Sequence, residues 1–210
     1  MKVEVYDDIA CPWCRLGTHQ FHRAVAAAGA ETDVELVHRP YQLMPDAPED
    51  PRPLMDTVVE MFGPEQAEAM LTQMTRLGAS EGIEYRFDRA IAVNTFTAHR
   101  LRWLALHQHG AAMQAALTTA LFDAYFRDGV NIADHTQLTE LAEQVGLDGG
   151  RVRDCLTSEE GHAEVREQVT AARRYGVTTV PRFVFDNGDL IVGVTSAEAL
   201  GDALRKASGR

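Results

Sequence analysis

Apolar and charged residues alternate along KVEVY (residues 2–6), the period-two pattern of a half-buried strand. From Pro12 the pattern turns helical. In CPWCRLGTHQFHRAVAAAGA, Leu16, Phe21 and Val25 give a partial apolar face ending near Gly29. A proline in the first turn is free of cost there, because that N–H has no helical partner. VELVHRPY (34–41) reads as a second strand and runs into a proline-rich loop, PYQLMPDAPEDPRP.

The middle of the chain keeps apolar residues at a spacing of about 3.6, broken by Gly or Pro. LMDTVVEMF, EQAEAMLTQMTRLGASEG, NTFTAHRLRWLALHQHG, MQAALTTALFDAYFRDG, DHTQLTELAEQVG and GRVRDCLTSEEGHAEVREQVTAARRYG each predict a helix. On the third of these, Phe96, Leu101, Leu104 and His107 are the predicted core positions. The end of the chain changes character again: RFVF and LIVGV flank the turn DNGD, a hairpin signal. In TSAEALGDALRKA, Ser196 can cap a last helix with Ala199, Leu200, Ala203 and Leu204 on one face. The order is β-α-β, a helical block, then β-β-α, with strands only in the outer parts. It predicts an α/β domain built from residues 1–50 and 173–210, with residues 51–172 as an inserted all-helical subdomain.

Of 210 residues, 45% are hydrophobic and 24% charged, a composition that folds around its own core without a disulfide or metal staple. The net charge of −11 disfavours phosphate backbones and anionic lipid surfaces as partners. No apolar run approaches the roughly 20 residues a membrane helix needs. The opening MKVEVYDDI alternates where a signal peptide would be continuously apolar, so the expected compartment is the cytoplasm. Disulfides there are catalytic or redox-sensing far more often than structural.

Against that background, CPWC (11–14) carries the chemistry. It is compatible with a redox pair, half of a metal site, or two inert thiols. Cys11 at a helix start meets orphan N–H groups and the positive end of the dipole, which favour thiolate over thiol. Cys14 lies one turn along the same face, within disulfide reach. A zinc site needs two further ligands, yet Cys155 is the one remaining cysteine, and the eight histidines form no matching pair beside it. Two inert thiols would leave the intervening Pro and Trp without a purpose. No metal and no bound cofactor are therefore expected. Trp13, at a helix start, is either a docking platform or an exposed bystander. Asp8 can accept a proton during exchange or simply hold backbone donors. Asn94 and His99 can border a cleft or serve in capping and core roles, and Cys155 reads as a small buried residue. Pro181 begins a strand, a position where proline is ordinary.

The stretches DDIACPWCRLG, RPYQLMPD and NTFTAHRL, followed by VP, a hairpin and a last helix, resemble the DsbA-like branch of the thioredoxin fold, and within it the FrnE-type proteins. The likeness spans nearly the whole chain. It implies that Cys11 is the nucleophile and Cys14 the resolving thiol. It also implies that Val180–Pro181 is cis and faces Cys11, with the Val180 main chain binding extended substrate. Arg182 stands where the family often has Thr or Ser, placing a cation near the site. A further cysteine pair present in some FrnE-type proteins near the C-terminus has no counterpart here. The expected activity is thiol–disulfide oxidoreduction on protein or small-molecule thiols and disulfides, with glutathione as a redox partner and a homodimer as the assembly. Two rivals remain open: a glutathione-dependent isomerase or transferase of the 2-hydroxychromene-2-carboxylate isomerase or kappa-class type, which usually has Ser in place of Cys11, and a redox-regulated client-binding module.

Overall fold

Val3 and Val5 are fully buried, as the alternation requires, because they form the inward face of β1 (Lys2–Asp7). The computed structural model describes residues 1–29, 34–48 and 50–208. Glu49 of the proline-rich loop lies outside them. α1 (Pro12–Ala27) and β2 (Glu35–Pro40) follow β1. β2 lies parallel to β1 with Val5 opposite His38 and Asp7 opposite Pro40. On the other side of β1 runs β5 (Arg182–Phe185), antiparallel, with Val5 opposite Phe183 and Tyr6 opposite Arg182. β6 (Leu190–Val192) completes the hairpin, giving the sheet order β2-β1-β5-β6. The chain ends in α8 (Ala197–Ala207), where the Ser196 side chain accepts the Ala199 N–H.

Between β2 and β5 in sequence come α2 (Leu54–Phe62), α3 (Pro64–Ser80), α4 (Phe96–Asp123), α5 (His135–Gln144), α6 (Gly149–Leu156) and α7 (His162–Arg174). The expectation that only the outer parts carry strands is corrected here. β3 (Arg52–Pro53) and β4 (Ile91–Ala92) pair antiparallel within the helical block. A two-residue pairing leaves no alternation to read, and Pro53 contributes no donor to it. The two helices expected over 94–110 and 113–129 make up α4 and meet at a kink at Gly110, whose φ of 82° and ψ of −178° are non-helical. A π-helical turn, Ala124–Asp128, follows. His107 is also corrected. It is exposed and lies against the Trp103 ring at 4.2 Å, while the buried position on this helix goes to Arg102, 2% exposed.

Two cores result. Val3, Val5, Phe21, Ala24, Val25, Phe183, Phe185, Leu200 and Leu204 pack between the sheet, α1 and α8. A larger one, mostly helical, takes in Ile9, Cys11, Cys14, Leu16, Tyr41, Leu101, Leu104, Phe126 and Val180. α1 belongs to both, with its first turn in the helical core and its later turns on the sheet. Phe21 fixes that docking by stacking on Phe183, ring centroids 5.2 Å apart and ring planes nearly parallel. Phe21→Ala is expected to cost about 3–5 kcal/mol, read as a lower denaturant midpoint at unchanged slope. A loss below about 1 kcal/mol would show that Phe21 does not carry the docking.

Candidate active site

Strand β1 ends at Asp7, and three residues of loop deliver Cys11 to the N-cap of α1. Its backbone is extended there, φ −97° and ψ 108°, and its sulfur accepts the Cys14 N–H at 3.2 Å. A sulfur thus occupies the place that Ser, Asp or Asn oxygens usually take at a helix start. The Cys11 N–H donates to the Asp8 carbonyl at 3.1 Å, closing the loop. Cys14 is fully buried and Cys11 only 3% exposed, and all three cysteines of the chain are free thiols. Burial first, then the hydrogen bond with Cys11, pushes the Cys14 thiol well above its ordinary value.

The Val180–Pro181 peptide bond is cis. It brings the Val180 carbonyl to 4.0 Å from Cys11 Sγ, across 169 residues of sequence. Gly17, one turn beyond Cys14, makes this approach possible: a Cβ built there would stand 2.8 Å from Pro181 Cγ. Trp13 is 36% exposed. Arg182 is half-buried, and its guanidinium donates to the Gly176 carbonyl at 3.0 Å, on the chain leading into the cis bond. Cys11, Cys14, Val180 and Pro181 are thus gathered at one point, Trp13 offers an aromatic surface beside them in sequence, and Arg182 is tied back to the main chain.

Beneath the loop that delivers Cys11 lies a buried charge network. Asp7 accepts from Arg102 Nη2 at 2.6 Å and from His38 Nδ1 at 2.6 Å. Burial alone would raise the Asp7 carboxyl, but Arg102 and then His38 outweigh it and hold it down to about 2. Burial pushes His38 down in spite of Asp7, so its Nδ1–H donates to the carboxylate. Arg102 Nη1 lies 3.2 Å from His99 Nδ1. A guanidinium can only donate, so the ring proton of His99 sits on Nε2, 3.0 Å from the Tyr41 carbonyl and 3.3 Å from Asp8 Oδ1. Asp8 Oδ2 accepts the Leu43 N–H at 2.8 Å. Asp8 thus holds backbone and imidazole donors, the structural role allowed for it above. Asn94 likewise caps, accepting the Phe96 N–H at 2.9 Å and donating to the Pro45 and Ala47 carbonyls. Cys155 is buried, with burial raising its thiol. Among the described residues, no group of three or more His, Cys, Asp or Glu side chains is placed to hold a metal ion.

The family model for the DSBA-like thioredoxin domain matches residues 2–205. The chain belongs to the DSBA-like thioredoxin domain family. A crystal structure of a probable DsbA oxidoreductase from Streptomyces coelicolor is 35% identical, with a TM-score of 0.89 over 100% of this chain and 91% of that one. An uncharacterized Bacillus subtilis protein, YwbO, is 28% identical over 198 residues, 91% of this chain and 89% of its own length. The cytosolic disulfide reductase DsbM from Pseudomonas aeruginosa shares the fold at 17% identity, with a TM-score of 0.67 over 100% of this chain and 96% of that one. DsbM has also been solved with GSH.

Within this DSBA-like chain, Asp7, His38, Arg102 and Gly17 were not singled out from sequence. The signal was present: Asp7 continues the inward positions of Val3 and Val5, and Arg102 interrupts the apolar run from Leu101 to Ala105. Opposite charges at two inward positions are candidates to meet each other.

Two outcomes are expected. Asp7 stays ionised in the fold down to about pH 2, against 3.8 for the free group. Its depressed value means the pair's contribution is complete above about pH 4 and is lost as pH falls towards 2. Arg102→Met should cost about 3–5 kcal/mol at pH 7 by stranding that carboxylate, and should remove the acid-limb loss, as read by denaturant unfolding across pH. A variant with the wild-type pH profile would contradict the assignment. Gly17→Ala should cost about 1–3 kcal/mol through overpacking against Pro181 and should speed alkylation of Cys11 as the proline loop is displaced. Unchanged stability and alkylation would show that the contact is not tight.

Proposed function

We propose that this protein is a thiol–disulfide oxidoreductase of FrnE type acting in the cytoplasm, with the CPWC pair as its redox centre. The observation that carries the reading is the Cys11 sulfur, held at the N-cap of α1 by the Cys14 N–H and facing the Val180 carbonyl beside a cis proline. Residues 1–50 and 173–210 act as the thioredoxin-like unit that carries this centre, and residues 51–172 act as a helical subdomain over it.

In the reducing direction the Cys11 thiolate attacks one sulfur of a substrate disulfide, forming a mixed disulfide and expelling the other substrate sulfur as a thiolate. Cys14 then loses its proton and attacks Cys11 Sγ, forming the Cys11–Cys14 disulfide and releasing the second substrate thiolate. Two electrons pass from the cysteine pair to the substrate. A thiol such as glutathione returns the pair to the dithiol by the same two exchanges, and the oxidising direction is their reverse. The buried, hard-to-ionise Cys14 suits the resolving step, because it stays a thiol until a mixed disulfide forms beside it. The Val180 main chain, Pro181 and Trp13 receive the substrate segment next to the sulfur, with Arg182 behind them. A Cys at position 11, where glutathione-dependent isomerases usually carry a hydroxyl, supports exchange over isomerisation.

Cys11→Ser is expected to abolish turnover of a disulfide substrate, at least a thousandfold. Cys14→Ser should accumulate substrate-bound mixed disulfides at Cys11, visible by non-reducing electrophoresis and intact mass. Equal residual exchange in both single variants would sink the reading.

A further inference from the structure

Arg102 donates Nη2 to Asp7 at 2.6 Å and lies with Nη1 3.2 Å from His99 Nδ1, which leaves its Nε–H. That N–H is buried and has no hydrogen-bond partner among the described residues. Two neighbours share the condition. His38, 2% exposed, spends Nδ1 on Asp7, and its Nε2 is unpartnered. Trp103, the next residue along α4, has an unpartnered and buried Nε1. Buried polar atoms in folded proteins are nearly always satisfied, so three orphans in neighbouring residues point to a common partner.

The same three residues line one small cavity between β2, α4 and α7. It admits the centre of a water-sized sphere over about 10 Å³, the room of a single water molecule. Gln168 of α7 lines it too, and its side-chain amide has no partner among the described residues. Trp103 is held in place from outside the cavity. Its ring lies against His107 at 4.2 Å, and Gly161 closes on it, since a Cβ built there would stand 2.5 Å from Trp103 Cε3.

The donors and acceptors select the occupant. Arg102 Nε–H and Trp103 Nε1–H can only donate. His38 Nδ1 donates to the Asp7 carboxylate, so the neutral ring that burial favours presents Nε2 as an acceptor. An occupant must therefore accept two hydrogen bonds and donate at least one. Water does both. A halide would take the two N–H groups but has no proton to offer His38, and a cation would meet the Arg102 guanidinium. Leaving three buried polar groups unpaired costs more than immobilising one water.

We propose that this cavity is a site for one structural water, which accepts from Arg102 Nε and Trp103 Nε1 and donates to His38 Nε2 and Gln168 Oε1. The water joins β2, α4 and α7 behind the Asp7 cluster. α7 ends at Arg174 and continues through 175–179 to the cis Val180–Pro181 bond, so the joint seats the helix from which that segment departs. The inference is independent of the exchange reading, because no step of the exchange passes through the water.

A high-resolution crystal structure of the wild-type protein should show one ordered water about 2.7–3.2 Å from each of His38 Nε2, Arg102 Nε and Trp103 Nε1. Density that reaches fewer than three of these atoms overturns the site. Anomalous signal there in a bromide-soaked crystal also overturns it, by identifying an adventitious ion only. In solution the two indoles of the chain, Trp13 and Trp103, give separate N–H resonances. The Trp103 proton should show a cross-peak to a long-lived water and exchange with solvent at least tenfold more slowly than that of Trp13. Equal rates, or no cross-peak, overturn the proposal. Gln168→Leu should leave the water in place and speed amide hydrogen exchange along α7 about threefold or more. An unchanged rate would overturn the joint to α7.

Discussion

A carboxylate and a guanidinium, both almost fully removed from water, meet where β1 ends: Asp7 and Arg102. Either group alone would cost several kcal/mol to bury. Only one placement of α4 against β1 satisfies both, so the pair acts as a registry device between the helical block and the sheet. His38 on β2 joins from the other side and His99 extends the line to Asp8. Three elements that are distant in sequence, β1, β2 and α4, are therefore fixed at the point from which the loop to Cys11 springs. A hydrophobic contact in the same place would favour proximity but tolerate sliding, since apolar burial is non-directional.

The placement of the cysteines follows from that constraint and from two others. Phe21 on Phe183 sets the rotation of α1 on the sheet, so its first turn points into the larger core. Gly17 then allows Pro181 to come within contact of the helix, and the carbonyl before that proline meets the Cys11 sulfur. Removing any one of these would leave the others intact but misaligned, because a helix pinned at one end can still rotate. Both sulfurs are buried in the larger core, Cys11 as the cap of α1 and Cys14 one turn further in.

The strands, the helical block and the CPWC helix were legible in sequence because each writes a periodic signal over several residues. Leu16, Phe21 and Val25 lie on the buried face of α1, and Leu200 and Leu204 on that of α8, as their spacing required. The β3–β4 pair was invisible, since two residues cannot show a period. His107 was misassigned because its spacing continued the apolar stripe, and Arg102 was overlooked because its charge was read as exposure. Leu101 and Leu104 are buried as expected, while Arg102 is buried beside them where a carboxylate waits and His107 is exposed beside Trp103. The cis proline came from resemblance to a family. Local sequence does not distinguish that peptide from an ordinary strand start.

The Cys11 sulfur closes the first turn of α1 by accepting the Cys14 N–H. A capping group contributes about 0.5–2 kcal/mol to its helix, and an anionic sulfur is a better acceptor than one locked in a covalent S–S bond. On the exchange proposed above, the sulfur that would react is also the atom that finishes the helix. Each exchange would then take part of the fastening from the end of α1, and each return to the thiol would seal it again. The electron count of such a centre would be written into the firmness of a backbone.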